Sequence, residues 1–220
     1  MIPVDIFSDP ICPWCFMGKT WFDRALEATP ELNFEIIWKP FQLNPEMPKN
    51  GMSRNEYLKQ KFGGTKRARE AYAPIIKTAV DHKIDINFDK IKITPNTLNA
   101  QRLIYWAEIE GVQGRIVSGL FKAYFKDGKD IGDPNILSEI AGNSGMKKEL
   151  VTRLLSSQED VEKVKDLDLS ARNSGIKGVP MFLIDKTYAV SGAQSTEFWR
   201  KVFLEISVNQ RSNKSNFPAS

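Results

Sequence analysis

The sequence contains very little cysteine and histidine. Its 220 residues include two cysteines, Cys12 and Cys15, and one histidine, His82. Two cysteines cannot build the framework of several disulfides that stabilises small secreted domains. With one imidazole in the whole chain, a structural zinc site would need ligands of other kinds. We therefore predict neither a disulfide scaffold nor a metal site.

Long hydrophobic runs and a strong charge of one sign are also lacking. No stretch approaches the roughly 18 consecutive apolar residues that a membrane-spanning helix needs. Near the N-terminus Asp5 and Asp9 interrupt the apolar residues before a signal-peptide core could form, so we expect a cytoplasmic protein without an export signal. The net charge is +4, but basic and acidic residues are interspersed. We expect binding to neither nucleic acid nor membranes.

What the sequence does contain is an ordinary globular composition, with 41% hydrophobic and 26% charged residues. The N-terminal part predicts a strand at Pro3–Asp9, a helix from Pro13 to about Thr29, and a second strand at Phe34–Phe41. From about Ser53 to about Asn173 the apolar residues follow helical spacing, interrupted by Gly and Pro. Two Pro-containing pairs, Thr94-Pro95 and Asp133-Pro134, predict helix starts within this block.

The C-terminal part returns to strand patterns. Met181–Ile184 and Tyr188–Ser191 flank Asp185-Lys186 and predict a β-hairpin, which a helix at Thr196–Val208 follows. We predict an α/β protein in which residues 1–48 and 174–210 form a sheet-containing domain. A large all-helical domain, residues 49–173, is inserted between the second strand and the C-terminal hairpin, and residues 211–220 form a flexible tail.

The spacing of the two cysteines is the clearest chemical signal. Cys12 directly precedes the predicted start of a helix at Pro13, where unpaired N–H groups and the helix dipole favour a thiolate. Cys15 lies on the first turn of the same helix, within reach of an intramolecular disulfide with Cys12. Pro13 and Trp14 carry no charge, so the helix terminus would be the main source of activation. The pattern predicts a redox pair.

Two structural alternatives to a redox pair remain. A Cys-x-x-Cys pair also occurs in zinc sites with four ligands, and two cysteines can be ordinary buried core residues. The zinc interpretation lacks the remaining ligands, and the core interpretation does not account for a position between a loop and a helix. His82, which lies between two charged residues, is interpreted as a solvated surface residue without a catalytic role.

Six blocks of sequence carry a resemblance to a known family. The chain resembles the DsbA-like thioredoxin-fold proteins, and within them the dithiol-disulfide isomerases of polyketide-biosynthesis type. It is more distantly similar to kappa-type glutathione transferases and 2-hydroxychromene-2-carboxylate isomerases, which typically have serine where Cys12 stands. The matching blocks are Asp9–Lys19, Trp38–Pro45, Pro95–Thr97, Ala123–Phe125, Gly175–Pro180 and Ser191–Gln194.

The resemblance implies a thioredoxin fold interrupted by a helical domain, in agreement with the pattern of elements. It also implies that Val179-Pro180 is a cis peptide bond facing the cysteine pair, and that the backbone of Val179 binds an extended substrate. Relatives often carry histidine at the position of Gln101, so any function of that histidine is not expected here.

The leading hypothesis is thiol-disulfide exchange with protein or small thiol substrates through Cys12 and Cys15, without a bound cofactor and with glutathione as a possible co-substrate. A glutathione-dependent isomerase or transferase is the second hypothesis, in which Cys12 or the helix terminus positions the glutathione thiolate. A module that holds peptides at Val179 and Pro180 without turnover is the third.

Overall fold

A four-stranded sheet forms the centre of the protein. The computed structural model describes the backbone of residues 1–215 and the side chains of residues 1–208. In chain order, the strands of this sheet are β1 (Ile2–Ser8), β2 (Phe34–Pro40), β5 (Met181–Ile184) and β6 (Tyr188–Ser191). Their spatial order is β2-β1-β5-β6, with β1 parallel to β2 and with β5 antiparallel to both β1 and β6. The predicted strands and hairpin are confirmed.

The described residues form α-helices on both sides of the insertion and within it. They are α1 (Pro13–Glu27), α2 (Arg54–Phe62), α3 (Thr65–Asp81), α4 (Leu98–Ile109), α5 (Gln113–Phe121), α6 (Pro134–Asn143), α7 (Lys148–Ser156), α8 (Val161–Asn173) and α9 (Thr196–Ser215). A 3₁₀ helix spans Phe88–Lys90, and a π-helix, Lys122–Lys126, continues α5. The mixed α/β fold with a helical insertion agrees with the prediction.

Helix α1 joins the parallel strands and packs against the C-terminal helix α9. Its apolar residues recur every three or four positions, so that Phe22 and Ala25 are buried in the main core, whereas Trp21 packs with Ile75 and Ala79 of α3. The ring of Phe22 lies 4.9 Å from that of Trp199 and 5.6 Å from that of Phe203, centroid to centroid. Each such buried side chain contributes about 1.5–3 kcal/mol, which anchors α1 at the sheet.

The inserted segment is not all-helical, which corrects the prediction. Two short strands, β3 (Met52–Ser53) and β4 (Ile93–Thr94), pair antiparallel across the start of the segment. Strands of two residues are too short to show an alternating pattern in the sequence. They connect the start of α2 to the residues that precede α4. The apolar residues in the rest of the inserted segment still follow helical spacing.

The predicted helix start at Pro95 was wrong, whereas the start at Asp133-Pro134 is confirmed. Pro95 follows the extended residues of β4, and α4 begins three residues later at Leu98. The side chain of Asn96 accepts a hydrogen bond from the Leu98 N–H at 2.9 Å and so caps the helix. A proline disfavours helical geometry in the residue before it, which fits the strand at Thr94.

The last helix is longer than predicted. Helix α9 continues beyond Val208 to Ser215, so the expected flexible tail does not begin at residue 211. The remainder of that tail, residues 216–220, lies outside the described residues. None of the helices in the described part of the chain is both long and apolar enough to cross a bilayer.

Candidate active site

Cys12 occupies the N-cap of α1. Strand β1 ends at Ser8, a short loop follows, and Pro13 is the first helical residue, where its fixed φ suits a helix start. No acidic side chain lies in the first turn to offset the positive end of the helix dipole. Both cysteines are free thiols, and Cys15 lies on the first turn as predicted. Cys12 therefore lies at the positive end of the α1 dipole, as the sequence predicted.

The Cys12 sulfur faces the backbone of Val179. Its thiol donates to the Val179 carbonyl oxygen at 3.6 Å, a contact between residues 167 positions apart in the chain. The Val179–Pro180 peptide bond is cis, which confirms the expectation drawn from the family resemblance. The structure therefore brings together Cys12, Cys15, Val179 and Pro180, while their roles in catalysis stay predictions.

The sheet explains why these distant segments meet. Strand β5 runs antiparallel to β1, and Phe7 near the end of β1 pairs with Met181 at the start of β5. Pro180 directly precedes β5 and therefore lies beside the loop that leads from β1 to Cys12. A Cβ atom on Gly18 of α1 would lie 3.1 Å from Cγ of Pro180, so the glycine allows α1 to pack closely against this loop.

Cys15 is buried beneath the surface of the site, with 1% of its area exposed. Burial raises the pKa of the Cys15 thiol well above its usual range, and the neighbouring Cys12 sulfur raises it further. The Asp9 backbone N–H and the Ser8 side chain oppose this rise through hydrogen bonds. At rest Cys15 is therefore a protonated thiol, and its sulfur is already surrounded by groups that stabilise a thiolate.

Asp9 is a completely buried carboxyl group in the loop before Cys12. Its side chain accepts hydrogen bonds from the Ile11 N–H at 3.1 Å, the Leu43 N–H at 2.6 Å and the Thr97 hydroxyl at 3.3 Å. Burial nevertheless dominates these three donors and raises the pKa of Asp9 from 3.8 to about 6. Asp9 also accepts the Cys12 N–H through its backbone oxygen at 2.9 Å, so it holds the loop in shape.

Gln101 joins the carboxyl ends of the two parallel strands. Its side-chain NH₂ group donates to the carbonyl oxygens of Ser8 at 2.9 Å and Phe41 at 3.0 Å. Its Oε1 atom is buried and has no hydrogen-bond partner among the described residues. An amide does not titrate, so the hydrogen bonds of Gln101 do not change with pH. A histidine at this position could gain or lose a proton.

A group of stacked aromatic rings begins at the residue that follows Cys15. Phe16, which directly follows Cys15, stacks on Phe121 and Phe125 with ring centroids 5.4 Å apart in both cases. Phe125 belongs to the π-helix that continues α5, and π-turns inside helices are frequent at functional sites. Trp14 is half-buried and packs against both core clusters of the protein.

The sequence indicates the cysteines and the cis-proline loop, whereas a role for Ser8, Asp9 or Gln101 was not predicted. Asp9 belongs to the same sequence block as the cysteines, and this proximity could have indicated that it contributes to the site. Gln101 meets Ser8 across 93 residues, a contact for which the sequence carries no pattern. The side chain of His82 is exposed, in agreement with its prediction. The described residues contain no group of three or more His, Cys, Asp or Glu side chains arranged to share a metal ion.

Comparison with known families gives a match along almost the whole chain. Residues 3–203 match the family described as DSBA-like thioredoxin domain. The sequence is 27% identical over 209 residues to the uncharacterized protein YwbO of Bacillus subtilis strain 168, which covers 93% of this chain and 96% of that protein.

Solved structures with the same fold include a probable oxidoreductase, a disulfide reductase and an isomerase. A probable DsbA oxidoreductase of Streptomyces coelicolor superposes with a TM-score of 0.82 at 25% identity, over 100% of this chain and 93% of the other. The cytosolic disulfide reductase DsbM of Pseudomonas aeruginosa, solved with GSH, gives 0.67 at 15% identity over 94% and 99% of the chains. A 2-hydroxychromene-2-carboxylate isomerase gives 0.65 at 14% identity over 97% of both chains. The last two similarities concern the fold alone.

Proposed function

The chain belongs to the family of DSBA-like thioredoxin domains, and from this premise we propose that it catalyses thiol-disulfide exchange through Cys12 and Cys15. The observation that carries the proposal is the position of Cys12 at the N-cap of α1, with its sulfur 3.6 Å from the Val179 carbonyl and with Cys15 one turn along the same helix. Dithiol chemistry requires a reactive thiol at the start of a helix, a second thiol within reach, and a nearby loop whose backbone can bind the substrate.

The reaction runs in two exchange steps. The Cys12 thiolate attacks one sulfur of a substrate disulfide, forms a mixed disulfide and releases the other substrate sulfur as a thiolate. The Cys15 thiolate then attacks the Cys12 sulfur, which forms the Cys12–Cys15 disulfide and releases the second substrate thiolate. The substrate takes up two electrons, the two cysteines lose them, and the reverse sequence oxidises a dithiol.

The second step depends on deprotonation of Cys15. Because burial keeps this thiol protonated, its proton must leave as the Cys15 sulfur approaches the mixed disulfide. The Asp9 N–H and the Ser8 side chain stabilise the thiolate that results. Loss of the Cys12 negative charge in the mixed disulfide also removes one cause of the high pKa of Cys15. Cys15 therefore becomes reactive only after Cys12 has formed the mixed disulfide.

The narrow access to Cys12 restricts the substrate. Only 4% of the Cys12 surface is exposed, so a disulfide on a flat folded surface cannot reach the sulfur. A small disulfide or an extended segment can approach along Val179, whose backbone N–H makes no hydrogen bond within residues 1–215. An extended chain can pair with such a free backbone group independently of its side chains. We propose small thiols, such as glutathione, and unfolded segments as substrates.

The proposed location is the cytoplasm, where protein thiols are kept reduced. The fold shared with a cytosolic disulfide reductase that binds GSH supports both this location and glutathione as the co-substrate. In that compartment the cysteine pair would act mainly as a reductase or isomerase, and reduced glutathione would return the Cys12–Cys15 disulfide to the dithiol.

A trapping experiment tests the two-step mechanism. We expect the Cys15→Ser variant to accumulate a mixed disulfide between Cys12 and glutathione when it is incubated with glutathione disulfide, because no second thiol can resolve it. Intact-protein mass spectrometry measures the adduct. The wild type should instead show the Cys12–Cys15 disulfide, and Cys12→Ser should show little adduct because the raised pKa of Cys15 keeps its thiol protonated and unreactive. An adduct of equal amount on Cys12→Ser would contradict the assigned roles.

A glutathione-dependent isomerase is the second candidate, favoured by the fold shared with 2-hydroxychromene-2-carboxylate isomerase. In that reaction Cys12 would position a glutathione thiolate and Cys15 would have no role. The same variant separates the candidates. Isomerase turnover that survives Cys15→Ser would support the second candidate, whereas exchange activity that is lost supports dithiol chemistry.

A further inference from the structure

A cavity lies away from the cysteine site, between α2, α3 and the 3₁₀ helix Phe88–Lys90. Its volume is about 820 Å³, and none of the residues assigned to the redox site lines it. The walls are largely apolar, with Leu58, Ile76 and Ile91 among them. Ile76 is 48% exposed, although isoleucine is usually buried in folded proteins. A cavity of this size can hold a small organic ligand.

The unusual feature of the cavity is Arg54. Its side chain is more than nine-tenths buried, with 8% of the residue exposed, and it lies in the cavity wall. The guanidinium carbon lies 5.1 Å from the ring centre of Tyr72 and 5.3 Å from that of Phe88. These two rings hold the flat guanidinium group and stabilise its charge through cation–π interactions. Its orientation is therefore fixed by packing.

No residue in the described part of the chain accepts a hydrogen bond from the Arg54 side chain. Within the described part of the chain, the guanidinium group makes neither a hydrogen bond nor an ion pair. A buried guanidinium with five N–H donors is normally paired with a carboxylate, because burial of an unpaired charge is costly. None of its nitrogens is among the buried polar atoms that lack both a partner and contact with solvent. The donors therefore reach the cavity, where an anion can accept them.

The charge around Arg54 is also positive. Arg69, Lys77 and Lys92 line the cavity together with Arg54, and Asp89 is the one acidic residue among the lining residues. Lys77 is already paired with Asp81 at 2.6 Å, and Lys92 donates to the Asp89 backbone oxygen at 2.8 Å. Arg69 and Arg54 remain available at the cavity. Their field attracts a negative group, and the apolar walls favour a non-polar body.

We propose that this cavity binds a small organic anion, with a carboxylate or phosphate group held by Arg54 and an aromatic or branched apolar body against Tyr72 and Ile76. The planar guanidinium presents two parallel donors that match a carboxylate or phosphate. The site is separate from Cys12, so this proposal does not depend on the proposed function. Binding would neutralise the buried charge that the described residues leave unpaired.

The test uses three probes on the full-length reduced protein: 2-naphthoate, phenyl phosphate and the neutral 2-naphthamide. We expect at least one anionic probe to shift the amide NMR signals of α2, α3 and the 3₁₀ helix. We also expect it to bind about 10- to 100-fold more tightly than the amide in calorimetry, as a charged hydrogen-bond pair predicts. Failure of both anions to shift these signals at millimolar concentration would overturn the proposal.

Substitutions at Arg54 decide whether this residue is the receptor. Arg54→Met keeps the length and apolar character of the side-chain stem, and it should remove the preference for the anion. Arg115→Met is the matched control, because Arg115 lines another large cavity but is exposed. If Arg54→Met fails to fold, Arg54→Lys keeps the charge without the planar donor pair and should weaken naphthoate or phosphate binding severalfold. Unchanged affinity in either Arg54 variant would refute the assignment.

Discussion

At the scale of single residues, the site contains two buried ionisable groups whose pKa values are raised by burial. They are Cys15, which must lose a proton during the exchange reaction, and Asp9, which accepts three hydrogen bonds in the loop before Cys12. Three donors point at the Asp9 carboxyl group, yet burial still raises its pKa to about 6. Asp9 therefore changes charge at a pH close to that of a cell, within four residues of the reactive sulfur.

The raised pKa of Asp9 predicts a specific pH dependence of stability. The folded protein binds this proton more tightly than the unfolded chain, so the stabilisation is complete below pH 3.8 and is lost as the pH rises through about 6. The rise from 3.8 to about 6 corresponds to about 3 kcal/mol. Between pH 4 and pH 7 the wild type should lose up to about this much unfolding free energy relative to Asp9→Asn.

Urea unfolding of both proteins at several pH values measures this difference. The Asn side chain cannot titrate, so its own curve reports every other group in the protein. Two curves that stay parallel from pH 4 to pH 7 would mean that Asp9 titrates normally in the folded state.

Some of the residues in the site could be predicted from the sequence and others could not. Cys12 and Cys15 stand out because they are the two cysteines of the chain and lie three positions apart. Ser8 and Gln101 do not stand out, because serine and glutamine are common and their contacts span separate segments. The orphaned Oε1 of Gln101 and the unpaired guanidinium of Arg54 become visible only when burial is known.

At the scale of elements, α1 positions the reaction by its close contact with the cis-proline loop. Gly18 allows that contact, since any Cβ atom there meets Pro180 and Ala193. The periodicity of α1 and the hairpin could be predicted because long or alternating patterns are strong signals. The two-residue strands β3 and β4 and the π-helix could not, because they are short and are defined by pairing and packing.

Two glycine substitutions test this contact. Gly18→Ala should leave the protein about 1–3 kcal/mol less stable than the control variant, because the added methyl group lies 3.1 Å from Pro180 and overpacks the contact between α1 and the loop, which offsets the gain in helix propensity. Gly114→Ala in α5 is the matched control, since nothing lies within 4 Å of its added Cβ atom. The control should be neutral or stabilising by up to about 1 kcal/mol. Thermal or urea unfolding of both variants measures the difference, and equal effects would contradict the close contact.

At the scale of the whole molecule, the site lies where the two ends of the chain and the inserted helices meet. The loops that follow β1 and precede β5 supply Cys12 and Val179, and the insertion supplies Thr97, Gln101 and the rings that stack on Phe16. The order of elements and the insertion were predictable from the sequence. The hydrogen bonds that fasten the insertion to the loop before Cys12 were not, because they join residues that are about 90 positions apart.

The equilibrium reduction potential of the Cys12–Cys15 pair tests the central claim most directly. The protein would be equilibrated across a series of glutathione buffers and its dithiol and disulfide forms quantified by thiol alkylation and mass spectrometry, with Cys12→Ser as the control. We predict a single reversible two-electron transition, within the range of about −270 to −120 mV that thioredoxin-fold enzymes cover, and its absence in the control. If no intramolecular disulfide forms at any glutathione ratio, the dithiol mechanism is wrong.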